Sequence, residues 1–132
     1  MDVTILSRKT AEALLESDSF PTNTTVISFY SPEKVKAGDY TPVDYGKCAS
    51  KVYYACVPDI DIEALPSFGY TYDSYFSDVN DLAKFILQAV SQGMDIICQC
   101  DYGQSRSAAC AAAILEPLWR KITGLSCQPN YL

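Results

Sequence analysis

The chain predicts a single α/β domain, a central and mostly parallel sheet flanked by helices, and three observations carry that expectation. Apolar, β-rich runs alternate with stretches of helical spacing, the order that a sheet covered by helices requires. At 132 residues and 48% hydrophobic content the chain can bury one core. No repeat, linker or low-complexity run divides residues 1–132 into more than one unit.

Val3-Thr-Ile-Leu reads as the first strand, and Arg8 to Glu16 as a short helix with Leu14 and Leu15 inward. Thr24-Thr-Val-Ile-Ser-Phe-Tyr is a stronger strand, ended by Ser31-Pro32. From Pro32 to Lys51 the chain is polar and bears Gly and Pro, which predicts a long surface connection. Lys51-Val-Tyr-Tyr-Ala-Cys is the next apolar strand. Val79, Leu82, Ala83, Ile86, Ala89 and Val90 follow helical spacing, with Ser77 as the expected cap, Asp78 in the first turn and Gly93 as the stop. Met94-Asp-Ile-Ile-Cys-Gln reads as a short buried strand, and Ser107 to Leu115 as an Ala-rich helix that Pro117 should kink or break.

Between that strand and that helix stands Cys100-Asp-Tyr-Gly-Gln-Ser-Arg106-Ser107. A helix N-terminus offers backbone N–H groups without intrahelical partners, and its dipole favours an anion. Gly103 lets the loop curl and a ligand approach the backbone closely. Arg106 presents a planar fork that can hold two phosphate oxygens. The same field lowers the pKa of a thiol, to about 3.5–7.5 in comparable settings. Cys100 can then attack phosphorus and split a hard hydrolysis into two easier steps.

This motif resembles the signature of the protein tyrosine phosphatase superfamily, Cys-x5-Arg followed by Ser or Thr, in the form found in small dual-specificity phosphatases of bacterial and phage type. The resemblance implies the cysteine-phosphatase fold and a role for each matched residue: Cys100 the nucleophile, Arg106 the phosphate clamp, Ser107 the hydroxyl that stabilises the departing thiolate. Asp101, Tyr102, Gly103, Gln104 and Ser105 would form the backbone cradle. It also implies hydrolysis of phosphotyrosine or phosphoserine/threonine in proteins through a cysteinyl-phosphate, with no cofactor and no metal. Phosphate, sulfate or vanadate should occupy the loop. The alternative is a pseudophosphatase that binds phosphorylated proteins without turnover.

One position departs from the family. Where a His usually precedes the nucleophile, this chain has Gln99, and it contains no histidine at all. Gln carries no charge, so an active but less acidic thiol is expected. The lack of histidine also excludes Ser-His-Asp hydrolases and Cys-His proteases.

Departure of an alkoxide needs a general acid. Asp59 is the expected one, because Val57-Pro58-Asp59 follows a strand and resembles the Trp-Pro-Asp acid loop of the family. Asp61 is the first rival, and Asp73 and Asp78 lie nearer Cys100 in sequence.

A formal charge of −6 disfavours nucleic acid and anionic membrane as partners, and leaves attraction of a phosphate to Arg106 and the loop amides. The loop holds no lysine, so a mono-phosphate is expected ahead of an inositol phospholipid. The start lacks the apolar run of a signal peptide and no stretch is long enough to span a bilayer, which points to a cytoplasmic protein with reduced thiols. If Cys100 is oxidised reversibly, Cys56 or Cys110 would have to resolve it, packing being the plainer role for both. Eight of the ten tyrosines fall between Tyr30 and Tyr75, near Phe68 and Phe76. Each is expected first as a packing residue; together they could wall a cleft, with Tyr102 at its mouth.

Overall fold

A computed structural model describes the chain except residues 39, 61, 72, 73, 124–129 and 132, and side chains except also those of 62, 117–123, 130 and 131. The protein is α/β. Strands β1 (Val3–Ser7), β2 (Thr24–Tyr30), β3 (Lys51–Cys56) and β4 (Asp95–Cys100) form an all-parallel sheet, with the two-residue β5 (Asn130–Tyr131) at one edge, in the order β3-β2-β4-β1-β5. Helices α1 (Arg8–Glu16), α2 (Pro32–Lys36), α3 (Val79–Ser91) and α4 (Arg106–Thr123) connect them, with a 3₁₀ segment at Ile62–Phe68.

The strand order explains the layers. From β1 to β3 the chain moves one way across the sheet, and from β3 to β5 it moves back. Right-handed crossovers then place α1 on one face and α3 and α4 on the other. Two core clusters bear this out. On one face Val3, Ile5, Ile27, Phe29, Ile96 and Cys98 pack with Leu82 and Ala89 of α3 and Ala111 and Ile114 of α4. On the other, Leu6, Val26 and Ile97 pack with Ala11 of α1 and with Val43 and Tyr45. The connections that leave β4 and β1, neighbours in the sheet, run in opposite directions, and in parallel sheets the crevice beyond the carboxyl ends at such a point is where ligands bind.

Several local expectations need correction. The connection after β2 is not wholly irregular: Pro32 sits in the first turn of α2, where its missing N–H costs nothing. Ser77 does not cap α3; Asp78 is the N-cap, without a side-chain capping bond, and Asp81 is the acid of the first turn. α4 starts at Arg106 and is assigned as one helix through Pro117, so the proline does not end it. Gly93 does stop α3, at φ 65°, with its N–H on the Val90 carbonyl and that of Met94 on Ala89, a Schellman closure. Among the described residues no helix is long and apolar enough to cross a membrane.

Candidate functional site

Because the sheet is parallel, the carboxyl ends of β1, β2, β3 and β4 lie along one edge, and the Cys100–Arg106 loop sits above it. Cys100 closes β4 opposite Ser7 of β1. Gly103 then brings the loop down onto β1. Its φ is 68°, and a Cβ built there would meet the Ser7 backbone nitrogen at 2.9 Å and the Leu6 carbonyl carbon at 3.1 Å. The Arg8 N–H donates to the Asp101 carbonyl at 3.1 Å and ties the loop to the same junction. The loop closes when the Ala109 N–H reaches the Ser105 carbonyl at 2.9 Å, starting α4.

This curl surrounds the thiol with donors. Cys100 is buried. The Gly103 N–H donates to its Sγ at 3.3 Å, and the Ser107 hydroxyl lies 3.0 Å away. Burial alone would raise the thiol pKa, but hydrogen bonds from the Ser107 hydroxyl and from the backbone of Ser107, Gly103 and Gln104 outweigh it, so the pKa is lowered from its ordinary value. No histidine takes part. Ser107→Ala removes the side-chain donor and should move the ionisation midpoint of Cys100 to higher pH. The thiolate fraction then falls near neutrality, and the difference vanishes above both midpoints. Ultraviolet thiolate absorbance of each protein, less that of its Cys100→Ser counterpart, measures this; coincident titrations would remove Ser107 from the account.

Gln99 does not face the thiol. Successive strand residues point to opposite faces, and the Gln99 side chain enters the other layer, where its Oε1 accepts from Ser28 Oγ at 2.6 Å and Tyr45 Oη at 2.8 Å. It therefore acts as a buried polar bracket between β4, β2 and the segment bearing Tyr45. Its Nε2 has no partner among the described residues.

Arg106 is buried and, among the described residues, tethered through one nitrogen. Its Nη1 donates to Ser31 Oγ at 3.0 Å and to the Val57 carbonyl at 3.1 Å, groups supplied just beyond β2 and β3. Among the described residues the buried Nε has no hydrogen-bond partner, and Nη2 lies 3.9 Å from carboxylate oxygens of both Asp59 and Asp101, outside hydrogen-bond range. The Nε–Nη2 edge of the fork is thus held in place by the opposite nitrogen and left unspent. An orphaned buried donor costs about 1–3 kcal/mol, which an oxyanion at that edge would recover.

Asp59 comes up to the loop. Forty-one positions before Cys100, it accepts a 2.8 Å bond from the Ser105 hydroxyl and faces Arg106. Its rivals separate: Asp78 caps α3, and Asp61 and Asp73 lie outside the described residues. Tyr102 is 70% exposed at the loop rim, and Gln104 and Ser105 are also exposed.

No family model, curated protein or solved structure matches this chain. The geometry of the site includes residues that sequence alone does not reveal. Lys34 of α2 reaches the loop and pairs with Asp101 at 2.6 Å, and this bond raises its pKa. Its ammonium also lies 5.8 Å from the ring centres of Tyr40 and Tyr102. A lysine does approach the loop, then, although from outside the motif. Ser31 and the Val57 carbonyl carried one weak signal, their place directly after strands. For Lys34 there was none, since a polar connection has no period that shows which way a side chain turns.

The remaining aromatics divide. Tyr45 is fully buried on the α1 side, its phenol pushed up by desolvation, and Tyr53 packs on Phe85 with centres 5.3 Å apart. Phe68, Tyr75 and Phe76 instead line a groove of about 940 Å³ that runs between α3 and α4 up to Asp59, Ser105 and Arg106. Cys110 also lines it and hydrogen-bonds Cys98, whose thiol that bond and burial hold well above the ordinary range. Among the described residues no three His, Cys, Asp or Glu side chains form a group able to hold a metal ion.

Proposed function

We propose that this protein is a cysteine-dependent phosphatase acting on phosphate monoesters. The observation that carries this is the pairing, on one loop, of a thiol with lowered pKa and a buried guanidinium whose Nε–Nη2 edge meets no acceptor at hydrogen-bond distance among the described residues. Such a pair suits a phosphoryl dianion: the loop N–H groups and the Nε–Nη2 edge hold the oxygens, and Sγ stands beneath.

The steps follow from the groups available. Cys100 thiolate attacks phosphorus, the phosphorus–oxygen ester bond breaks, and Asp59 in its acid form protonates the leaving oxygen. Water then attacks the cysteinyl-phosphate while Asp59 takes a proton. The thiolate departs, stabilised by the Ser107 hydroxyl. Phosphotyrosine and phosphoserine/threonine are the first protein substrates to try, since the resemblance of the motif implies them.

Asp59→Asn should slow alkyl phosphates far more than aryl phosphates, by on the order of 10²-fold or more for the former, because an alkoxide leaves poorly without a proton and a phenoxide does not. Steady-state rates on both classes check this; equal losses would point to a positioning role for Asp59.

The test of the function as a whole is hydrolysis of p-nitrophenyl phosphate by the wild type beside Cys100→Ser, with vanadate as competitor. Turnover only in the wild type, inhibited by vanadate, is the expected result. Phosphopeptide binding without turnover would make the protein a pseudophosphatase. Failure to bind phosphate or vanadate at all would overturn both.

A further inference from the structure

We propose that the substrates of this loop are phosphate monoesters whose ester group is a long apolar chain, seated in the groove between α3 and α4; the proposal rests on the phosphatase function above and narrows its substrate class. At about 940 Å³ the groove has the capacity of a small-molecule site, not of a packing defect. Its walls are Leu82, Ile86, Leu87 and Val90 from α3 and Ala113 and Ile114 from α4, and Phe68 and Phe76 also line it. Much of this surface is open to water: Leu87 is 68% exposed, Phe68 61% and Val79 49%. These exposed side chains leave an apolar wall that a ligand tail could cover.

The distribution of polar groups selects the occupant. Apart from Tyr75 and Cys110, the polar lining residues gather at one end, and they are Asp59, Ser105 and Arg106. A ligand that matches has one anionic head and a tail without hydrogen-bonding groups. A peptide matches poorly, because its backbone N–H and C=O groups would enter the groove with few partners, and unpaired amides are costly. A polyanion matches poorly as well, since Arg106 is the only cationic residue among the described lining residues. Continuity with the chemistry completes the match. In-line attack by Cys100 sends the leaving oxygen away from Sγ, Asp59 must reach that oxygen, and Asp59 stands where the groove begins.

The experiment compares kcat/KM for butyl, hexyl and octyl phosphate, kept below micelle-forming concentrations, with p-nitrophenyl phosphate and with a phosphoserine peptide of polar sequence, an alkyl ester whose leaving group matches theirs. A rise of up to about fourfold per added methylene is expected, the factor for burying each one. Ala113→Trp and Ala83→Phe, at exposed positions on the two walls, should flatten that rise, read within each variant as the ratio of kcat/KM for octyl over butyl phosphate. If the wild type hydrolyses p-nitrophenyl phosphate but shows no dependence on chain length, or prefers the peptide to octyl phosphate, this proposal fails and the phosphatase stands. It fails too if a folded filling variant keeps the wild-type slope. Hydrolysis of no ester at all overturns both.

Discussion

Arg106→Lys should lower kcat/KM for p-nitrophenyl phosphate on the order of 10³-fold and weaken vanadate binding by about 100-fold, while the fold persists. Three features of the guanidinium lead to this. It must span from Ser31 Oγ and the Val57 carbonyl to the phosphate, and only a planar fork can present donors at both ends at once. An ammonium is a point charge on a flexible stem. If it keeps the Ser31 and Val57 bonds it is withdrawn from the oxyanion, and if it follows the oxyanion it leaves a buried carbonyl without its donor. Losing one preorganised donor to a developing oxyanion typically costs about 10²–10³ in rate, and here two donors on one edge are lost together. Steady-state kinetics and vanadate competition measure the effect. Retention of more than a tenth of wild-type activity would mean that the loop amides, not Arg106, carry the charge.

Gly103→Ala should destabilise the protein by about 3 kcal/mol and abolish vanadate binding. Left-handed backbone costs a non-glycine residue about 1–2 kcal/mol, and an overpacked site a further 1–3 kcal/mol. The contact is of the severe kind, because the atoms met at 2.9 and 3.1 Å are backbone of Ser7 and Leu6 and cannot rotate away. Relief requires the loop to lift from β1, which moves the Gly103 N–H off the Cys100 sulfur and loosens the cradle. Gly38→Ala is the matching control: its φ is 82° but nothing lies within 4 Å of an added Cβ, so only the backbone cost applies. Urea unfolding of the two variants separates strain from contact. Equal destabilisation would show that the close approach to β1 contributes nothing.

Local order was legible because it rests on local physics. The bounds of α1, β2 and β3 coincide with the runs read along the chain, since each run carries apolar residues at the spacing or continuity of its element and clear punctuation at its ends. Around α3 the stop was legible and the start was not. Gly93 has one conformational role, whereas Ser77 and Asp78 are both good caps and the choice between them belongs to the tertiary path of residues before Val79. α2 was hidden in a polar stretch that has no apolar face to reveal it; none of its residues is buried.

The sequence by itself determined the strand–loop–helix around Cys100. Everything in it is close in the chain: a thiol at a strand end, a glycine free to take φ 68°, an arginine opening a helix. Only the tertiary structure decided what surrounds it. The parallel sheet sets Ser31, Val57 and Cys100 along one edge, so groups far apart in the chain converge on Arg106. The pleat of β4 sends Gln99 to the opposite layer, which moves the missing histidine from a question about the thiol to one about core packing. Asp59 meets the loop, Lys34 approaches from α2, and α3 and α4 leave an apolar groove between them. Such long-range convergence follows from which strands pair and which face each helix covers, and no period along the chain encodes it.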